Sequence, residues 1–320
     1  MRTVVIGPDQ KLRLEQRPDP VPGPGDVLLR VRAAGLNAAD LQQVLGLYPA
    51  PPGWPADVPG LDVAGEIEEV GAAVTGFAPG DRVMALVGSG GHAERIAVPA
   101  DLLLPVPDGL SWEEAAGFPE AFSTAWDALV AQARVRAGDR VLITGAAGGV
   151  GTALIQVAAV SGAHVVASVR STELHDKVRA LADQGSVDVV APGEEAEHGP
   201  YDVIVDLVGG DDCLNRPRLL RTRGRLIILG MLAPVPAAEP WWIYDLMLKR
   251  CQLIGSTIRG RTHAEKATLA QDVAAAVVPL LARGRVRVPV DSAFPLDRYS
   301  DAYDRLAGTG KVGKVILTNG

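Results

Sequence analysis

Cysteine is scarce in this chain: Cys213 and Cys251 are the only two in 320 residues, far apart, with no CxxC and no paired histidines beside them. That scarcity argues against a disulfide framework and against a structural zinc knuckle, and makes a reducing cytoplasm the expected compartment. A basic excess is also missing. Lysine plus arginine number 31 against 38 acidic residues, for a net charge of −7, so nothing is available to neutralise a nucleic-acid backbone. No uninterrupted apolar run approaches the length of a bilayer span, and MRTVVIGPDQKLRLEQRP alternates like a strand hairpin, without the apolar core of a signal peptide. Internal repeats and low-complexity tracts are absent as well.

What remains is ordinary globular material, 48% hydrophobic and 22% charged, long enough for two domains or one large one. Up to about residue 118 the texture is β-rich. Short runs such as KLRLEQ, DVLLRVRAAG, VAGEIEEVG and AERIAVP are punctuated by PVPGPGD, PAPPGWPADVPG and FAPGD. SWEEAAGFPEAFSTAWDALVAQA then opens with Ser111 and Glu114 in capping-box spacing, which predicts a helix. After Gly138 strand-like and helix-like runs alternate: DRVLITG, VGTALIQVAAVSG, HVVASVR, TELHDKVRALADQG, VDVVAP, YDVIVDLVG, CLNRPRLLRTRG and RLIILG. Such alternation predicts a parallel, doubly wound sheet. HAEKATLAQDVAAAVVPLLARG reads as a late helix and GKVGKVILTNG as a final strand.

The centre of the chain carries TGAAGGVGTALIQVA, a glycine-rich turn between a strand and a helix. Two readings stand open. It is either a tight bend into a buried helix, or a cradle in which the backbone at Ala147, Gly148, Gly149 and Val150 approaches a pyrophosphate at a helix N-terminus. Ala146 replaces the first glycine of GxGxxG, so the motif alone is weak. The following strand adds weight. Sites for NAD place a carboxylate about 20 residues on, to bind ribose hydroxyls. Here SVRST puts Arg170 nineteen residues after Gly151, which suits a 2′-phosphate, with Lys177 as a further cation; the alternative is a solvated surface arginine.

These segments, with AAGLNAADLQQVLGLYP, PGLDVAGEIEEVG, GDRVMAL, GGHAERIAVP, PEAFSTAWDAL and the terminal GKVGKVIL, resemble the zinc-independent quinone oxidoreductase branch of the medium-chain dehydrogenase/reductase superfamily. GLYPAPPG, GLDVAG, PEAF and STIRGR are most similar to its p53-inducible quinone oxidoreductase-like group. The resemblance implies a Rossmann doubly wound parallel sheet domain over 119–257, inserted into a β-rich GroES-like substrate domain built from 1–118 and 258–320. It also implies a homodimer formed through nucleotide-domain sheet edges; the cofactor expected, from Arg170, is NADPH. Zinc-dependent relatives carry Cys, His and Cys where this chain has Asn37, Leu61 and Glu120, so no metal is expected.

Without a Lewis acid, quinones and α,β-unsaturated carbonyls are the accessible acceptors, because hydrogen-bond donors suffice for the developing oxyanion. The resemblance makes Tyr48 the candidate proton donor, with an aromatic packed under a proline-rich loop as the alternative. Asn37 is a candidate amide donor, or a brace for a turn. His92 stands where relatives show GGYAE and is a candidate relay, or simply a packed histidine; Asp40 is read as structural. Thr124 matches a nicotinamide-contacting threonine, and Gly230, Met231, Arg259 and Lys314 are further candidate cofactor contacts. Trp241 and Trp242 receive no chemical role. A pathway-specific double-bond reductase and a non-catalytic NADPH-binding protein are the competing readings.

Overall fold

The computed structural model describes residues 1–183, 185–230 and 241–320, and the expected contact at Met231 lies outside them. Two units form: Met1–Ser123 with Ile258–Thr309 and Gly313–Gly320, and Thr124–Thr257 with Gly310–Val312.

The first unit begins with strands β1 (Arg2–Ile6) and β2 (Leu12–Gln16), an antiparallel hairpin with Arg2 opposite Gln16. There follow β3 (Asp26–Leu36), α1 (Ala38–Val44), β4 (Asp62–Val70), β5 (Arg82–Leu86), β6 (Arg95–Pro99) and β7 (Leu103–Pro105). Strand β3 is buried over most of its length, and β4 and β6 both pair with it, antiparallel. Helix α2 (Trp112–Ala116) carries the capping box of Ser111 and Glu114, but it stops at Gly117 and α3 (Pro119–Trp126) starts anew. Proline suits a first helical position, where its missing N–H would have no partner.

In the second unit come β8 (Arg140–Ile143), α4 (Gly149–Val160), β9 (His164–Ser168), α5 (His175–Arg179), β10 (Val187–Val190) and β11 (Tyr201–Asp206). Helix α6 (Asp211–Asn215), β12 (Leu220–Ile228), α7 (Trp241–Lys249) and β13 (Gln252–Gly255) complete it. The sheet is parallel throughout, in the order β10-β9-β8-β11-β12-β13. This is the doubly wound order in which chain direction reverses beside the first strand. Leu142, Val166, Tyr201 and Ile204 are buried in its core.

Two stretches differ from their periodicity. CLNRPRLLRTRG ends its helix at Asn215 and enters β12 at Leu220, because Pro217 cannot supply the N–H a continuing helix needs. TELHDKVRALADQG yields only the short α5, capped at Ala180, whose N–H bonds the Asp176 carbonyl.

The chain returns to the first unit with α8 (His263–Ala276), α9 (Val278–Ala282), β14 (Val290–Pro295), α10 (Tyr299–Ala307) and β15 (Lys314–Thr318). Strand β15 lies between β14 and β3, with Val315 opposite Leu36, and Val4 near one end of the sequence shares a core with Val315 and Leu317 near the other. No helix among the described residues is long and apolar enough to cross a membrane.

Candidate active site

In the second unit, the glycine turn joins β8 to α4 where the strand order reverses. Gly148 caps α4 without a side-chain bond, and no acidic residue sits in the helix's first turn. The N–H groups of Gly149, Val150 and Gly151 have no acceptor among the described residues, and Ala147 to Val150 are half-exposed. That end of the helix therefore carries the partial positive charge that suits an anion. Gly151 permits the geometry. A Cβ there would lie 2.6 Å from the Gly145 carbonyl oxygen and from Ala146 Cα. Gly230 plays the same part at the end of β12, where a Cβ would come within 2.5 Å of the Leu207 carbonyl oxygen.

Asp206, not singled out in the sequence, ties these turns together. Its Oδ1 accepts from Thr144 Oγ1 at 2.7 Å, Val208 N–H at 2.9 Å and Gly209 N–H at 3.1 Å. The visible signal was a carboxylate closing a buried strand before VGG, and buried acids need several donors.

Arg170 follows β9 and is exposed, with no hydrogen bond or ion pair among the described residues. Its neighbour Val169 offers its carbonyl to His175 Nε2 at 2.9 Å, which fixes the turn carrying the arginine. Lys177 is exposed on α5. Thr124 is half-buried on α3, where the second unit begins.

The first unit holds the positions of Asn37, Leu61 and Glu120. Asn37 N-caps α1 in a capping box with Asp40. Its Oδ1 accepts from Lys314 Nζ at 2.5 Å, and its Nδ2 donates to Asp62 Oδ2 at 3.0 Å. Asp62 Oδ2 also takes Lys314 Nζ at 2.8 Å, while Oδ1 takes the Glu120 N–H at 2.6 Å. Leu61 is buried beside them. This donor set does not fit a zinc ion: one position is an alkyl group, another is an amide already bonded, and an ammonium sits against its oxygen. Among the described residues no group of three His, Cys, Asp or Glu side chains is gathered to hold a metal. Lys314, expected as a cofactor contact, is 3% exposed and engaged inside this unit. Asn37 is likewise engaged, its side chain bonded to Lys314 and Asp62.

Arg259, another expected cofactor contact, is engaged within the same unit. It is buried, and its nitrogens donate to the Gly88 carbonyl at 3.1 Å, the Tyr48 carbonyl at 2.7 Å and the Gln43 side chain. Its guanidinium carbon lies 4.8 Å from the centre of the Tyr48 ring. Tyr48 itself is half-buried on the loop after α1. His92 turns inward, fully buried, with Nδ1 3.0 Å from the Tyr303 hydroxyl. Burial holds the imidazole below its ordinary pKa, partly offset by the carboxylate of Asp40. Asp40 is pushed up by burial, against the pull of His92 and of the Asn37 and Gly60 N–H groups bonded to it. A relay through His92 to a bound molecule is therefore not supported, and the histidine packs the unit.

The Alcohol dehydrogenase GroES-like domain family matches residues 23–108, and the Zinc-binding dehydrogenase family matches 162–317. A mouse quinone oxidoreductase is 32% identical over 312 residues, covering 93% of this chain and 90% of its own. The chain belongs to the medium-chain dehydrogenase/reductase superfamily, in its quinone oxidoreductase-like branch. Within this superfamily the mouse synaptic vesicle membrane protein VAT-1 homolog-like is 31% identical, covering 99% of this chain and 81% of its own. The acryloyl-coenzyme A reductase of Metallosphaera sedula is 32% identical, covering 99% and 100%. Among solved structures, the quinone oxidoreductase of Thermus thermophilus, solved also in complex with NADPH, aligns with a TM-score of 0.82 at 33% identity, covering all of both chains. A Rossmann-like parallel sheet beside a GroES-like unit is the fold of this superfamily.

Proposed function

We propose that this oxidoreductase uses NADPH to reduce quinones or activated α,β-unsaturated carbonyls, without a metal. The observation that carries the reading is the Asn37–Asp62–Lys314 network. At Asn37, one of the three metal-ligand positions, the side chain is bonded to the Lys314 ammonium, which supports chemistry that does without a Lewis acid. Similarity to a quinone oxidoreductase and to an acryloyl-coenzyme A reductase supports the same acceptor class.

The cofactor fits the residues present. The unused N–H groups at the start of α4 suit a pyrophosphate, and the unpartnered Arg170 suits a 2′-phosphate, with Lys177 nearby in sequence. When bound, the dihydronicotinamide supplies hydride. The residues of this chain then need to orient the acceptor and stabilise the charge that appears on its oxygen. With Asn37 and His92 engaged internally, Tyr48 is the proposed donor: a phenol is neutral at working pH and can hydrogen-bond, then protonate, an enolate. Thr124 remains the proposed contact of the nicotinamide. A saturated ketone would place a full alkoxide on such a site, whereas a conjugated acceptor moves the charge to a remote oxygen.

We place the protein in the cytoplasm, as a homodimer. Strand β13 is the outer edge of the six-stranded sheet, and Leu253 on it, with Ile243, Tyr244, Met247 and Leu248 on α7, is exposed. An open edge with apolar neighbours is a pairing surface.

The test is NADPH oxidation by the purified protein with a quinone, an enone and a simple ketone. Turnover is expected with the first two and not with the third. Fast reduction of the simple ketone, or none of any acceptor, would refute the reading. Tyr48→Phe is expected to slow enone reduction by about 10²–10³-fold, the effect of losing a donor aimed at developing charge, and quinone reduction by less. A specialised double-bond reductase would accept enones alone.

A further inference from the structure

We propose that Arg259 is a positioning residue for Tyr48, holding the tyrosine's backbone and lying over its ring so that the phenol is presented as a proton donor. The proposal rests on the donor reading above and goes beyond it by naming what sets the donor's geometry.

The loop that carries Tyr48 has little structure of its own. Gly46 and Gly53 bracket it at φ 72° and 89°, Leu45 and Leu47 are exposed, and the Tyr48 N–H reaches the Gln42 carbonyl at 3.3 Å. Arg259 supplies what is missing. Nη1 bonds the Tyr48 carbonyl, Nε bonds the Gly88 carbonyl, and Nη2 bonds Gln43 Oε1. Gln43 passes the connection on, donating from Nε2 to Ser89 Oγ at 2.9 Å and to the Ala56 carbonyl at 3.2 Å, while Ser89 Oγ donates to the Val58 carbonyl at 2.5 Å. One guanidinium thus fixes both ends of the segment from Tyr48 to Val58.

Its charge is the second part of the argument. Arg259 is 7% exposed and forms no ion pair among the described residues. Burial disfavours the cation, the Asp40 carboxylate offsets this only in part and without bonding it, and its direct acceptors here are neutral carbonyl oxygens and an aromatic face. A cation over a phenol face is attracted to the ring. The attraction grows as the ring takes on phenolate character, which is the change a proton donor undergoes. A tether for the loop alone would need no charge.

Tyr48 is one of five tyrosines, so labelling them with ¹³C at Cζ gives a spectrum in which Tyr48→Phe identifies the Tyr48 resonance. Arg259→Met and Arg259→Lys are made in the parent, and Arg259→Met also in Tyr48→Phe; each is assayed with NADPH and an enone. Arg259→Met is expected to move the Tyr48 resonance and to lower enone kcat by about tenfold, the scale of one desolvated cation–aromatic contact. Arg259→Lys should restore part of both. In the Tyr48→Phe background Arg259→Met should cause no further loss. An unmoved resonance, or the same fold-loss in both backgrounds with Tyr48→Phe itself slow, overturns the positioning role and leaves the donor reading standing. Parent-rate enone reduction by Tyr48→Phe refutes the donor reading and the proposal with it.

Discussion

Replacing Lys314 with methionine separates a structural lysine from a cofactor ligand. The stem is packed: a Cβ at Gly117 would lie 3.2 Å from Lys314 Cγ, so methionine keeps the filled volume and removes the ammonium. What it leaves behind is Asp62, whose side chain is 0% exposed, with Asn37 Nδ2 and the Glu120 N–H still donating to it. Removing one partner of a buried ion pair costs about 3–5 kcal/mol, because the survivor is an uncompensated charge. The two neutral donors that remain place the expectation near the lower end, about 3 kcal/mol. Adding Asp62→Asn removes the stranded charge and should recover roughly half of that loss. Native-state hydrogen exchange of the amides in β4 and β15 reads the effect locally, without requiring the two units to unfold together. NADPH affinity should change little. If protection in β4 and β15 is unchanged while NADPH binding collapses, the lysine is a cofactor ligand and the reasoning fails.

Arg170→Asp should weaken NADPH binding by about 1–3 kcal/mol, the scale of a lost charge-assisted contact, with NADH affinity and melting temperature unaltered because the arginine has no partner to lose among the described residues. Equal affinity of the parent for both cofactors would remove the basis of this expectation. Purified protein should carry no stoichiometric zinc and should keep its turnover in chelator; elemental analysis near one zinc per chain would contradict the reading of Asn37, Leu61 and Glu120. His92 is held below its ordinary pKa by burial, so the unfolded chain takes up its proton at a higher pH than the folded one. Stability is therefore expected to fall as pH drops below about 6.5, by at most about 1.4 kcal/mol per pH unit from this residue. Asp40, pushed up by burial, runs the opposite way, and in His92→Asn it also loses the downward pull of the histidine. Both changes act in one direction: a shallower acid slope in the variant than in the parent is expected, and parallel pH profiles would exclude the effect.

The alternation of strand-like and helix-like runs after Gly138 determined the parallel sheet, because both periods are local properties of a few consecutive residues. The glycine turn was equally legible. Gly151 must approach the turn before it, and only glycine tolerates a 2.6 Å contact at that point. The helix that ended at Asn215 shows the limit of periodicity, since Pro217 acted through a single backbone group.

The roles of the charged residues were decided elsewhere. Lys314 and Arg259 read in sequence as candidate cofactor contacts. Lys314 instead bonds Asn37 and Asp62, 277 and 252 positions away, and Arg259 bonds Gln43, 216 positions away. Arg170 kept the exposure its surroundings in sequence suggested, because it follows a strand at the sheet's open end and no acid among the described residues was folded against it. A side chain's charge is written in the sequence, but its partner is chosen by which strands pair. Here that choice was made when β15 paired with β3 and brought the end of the chain to its beginning.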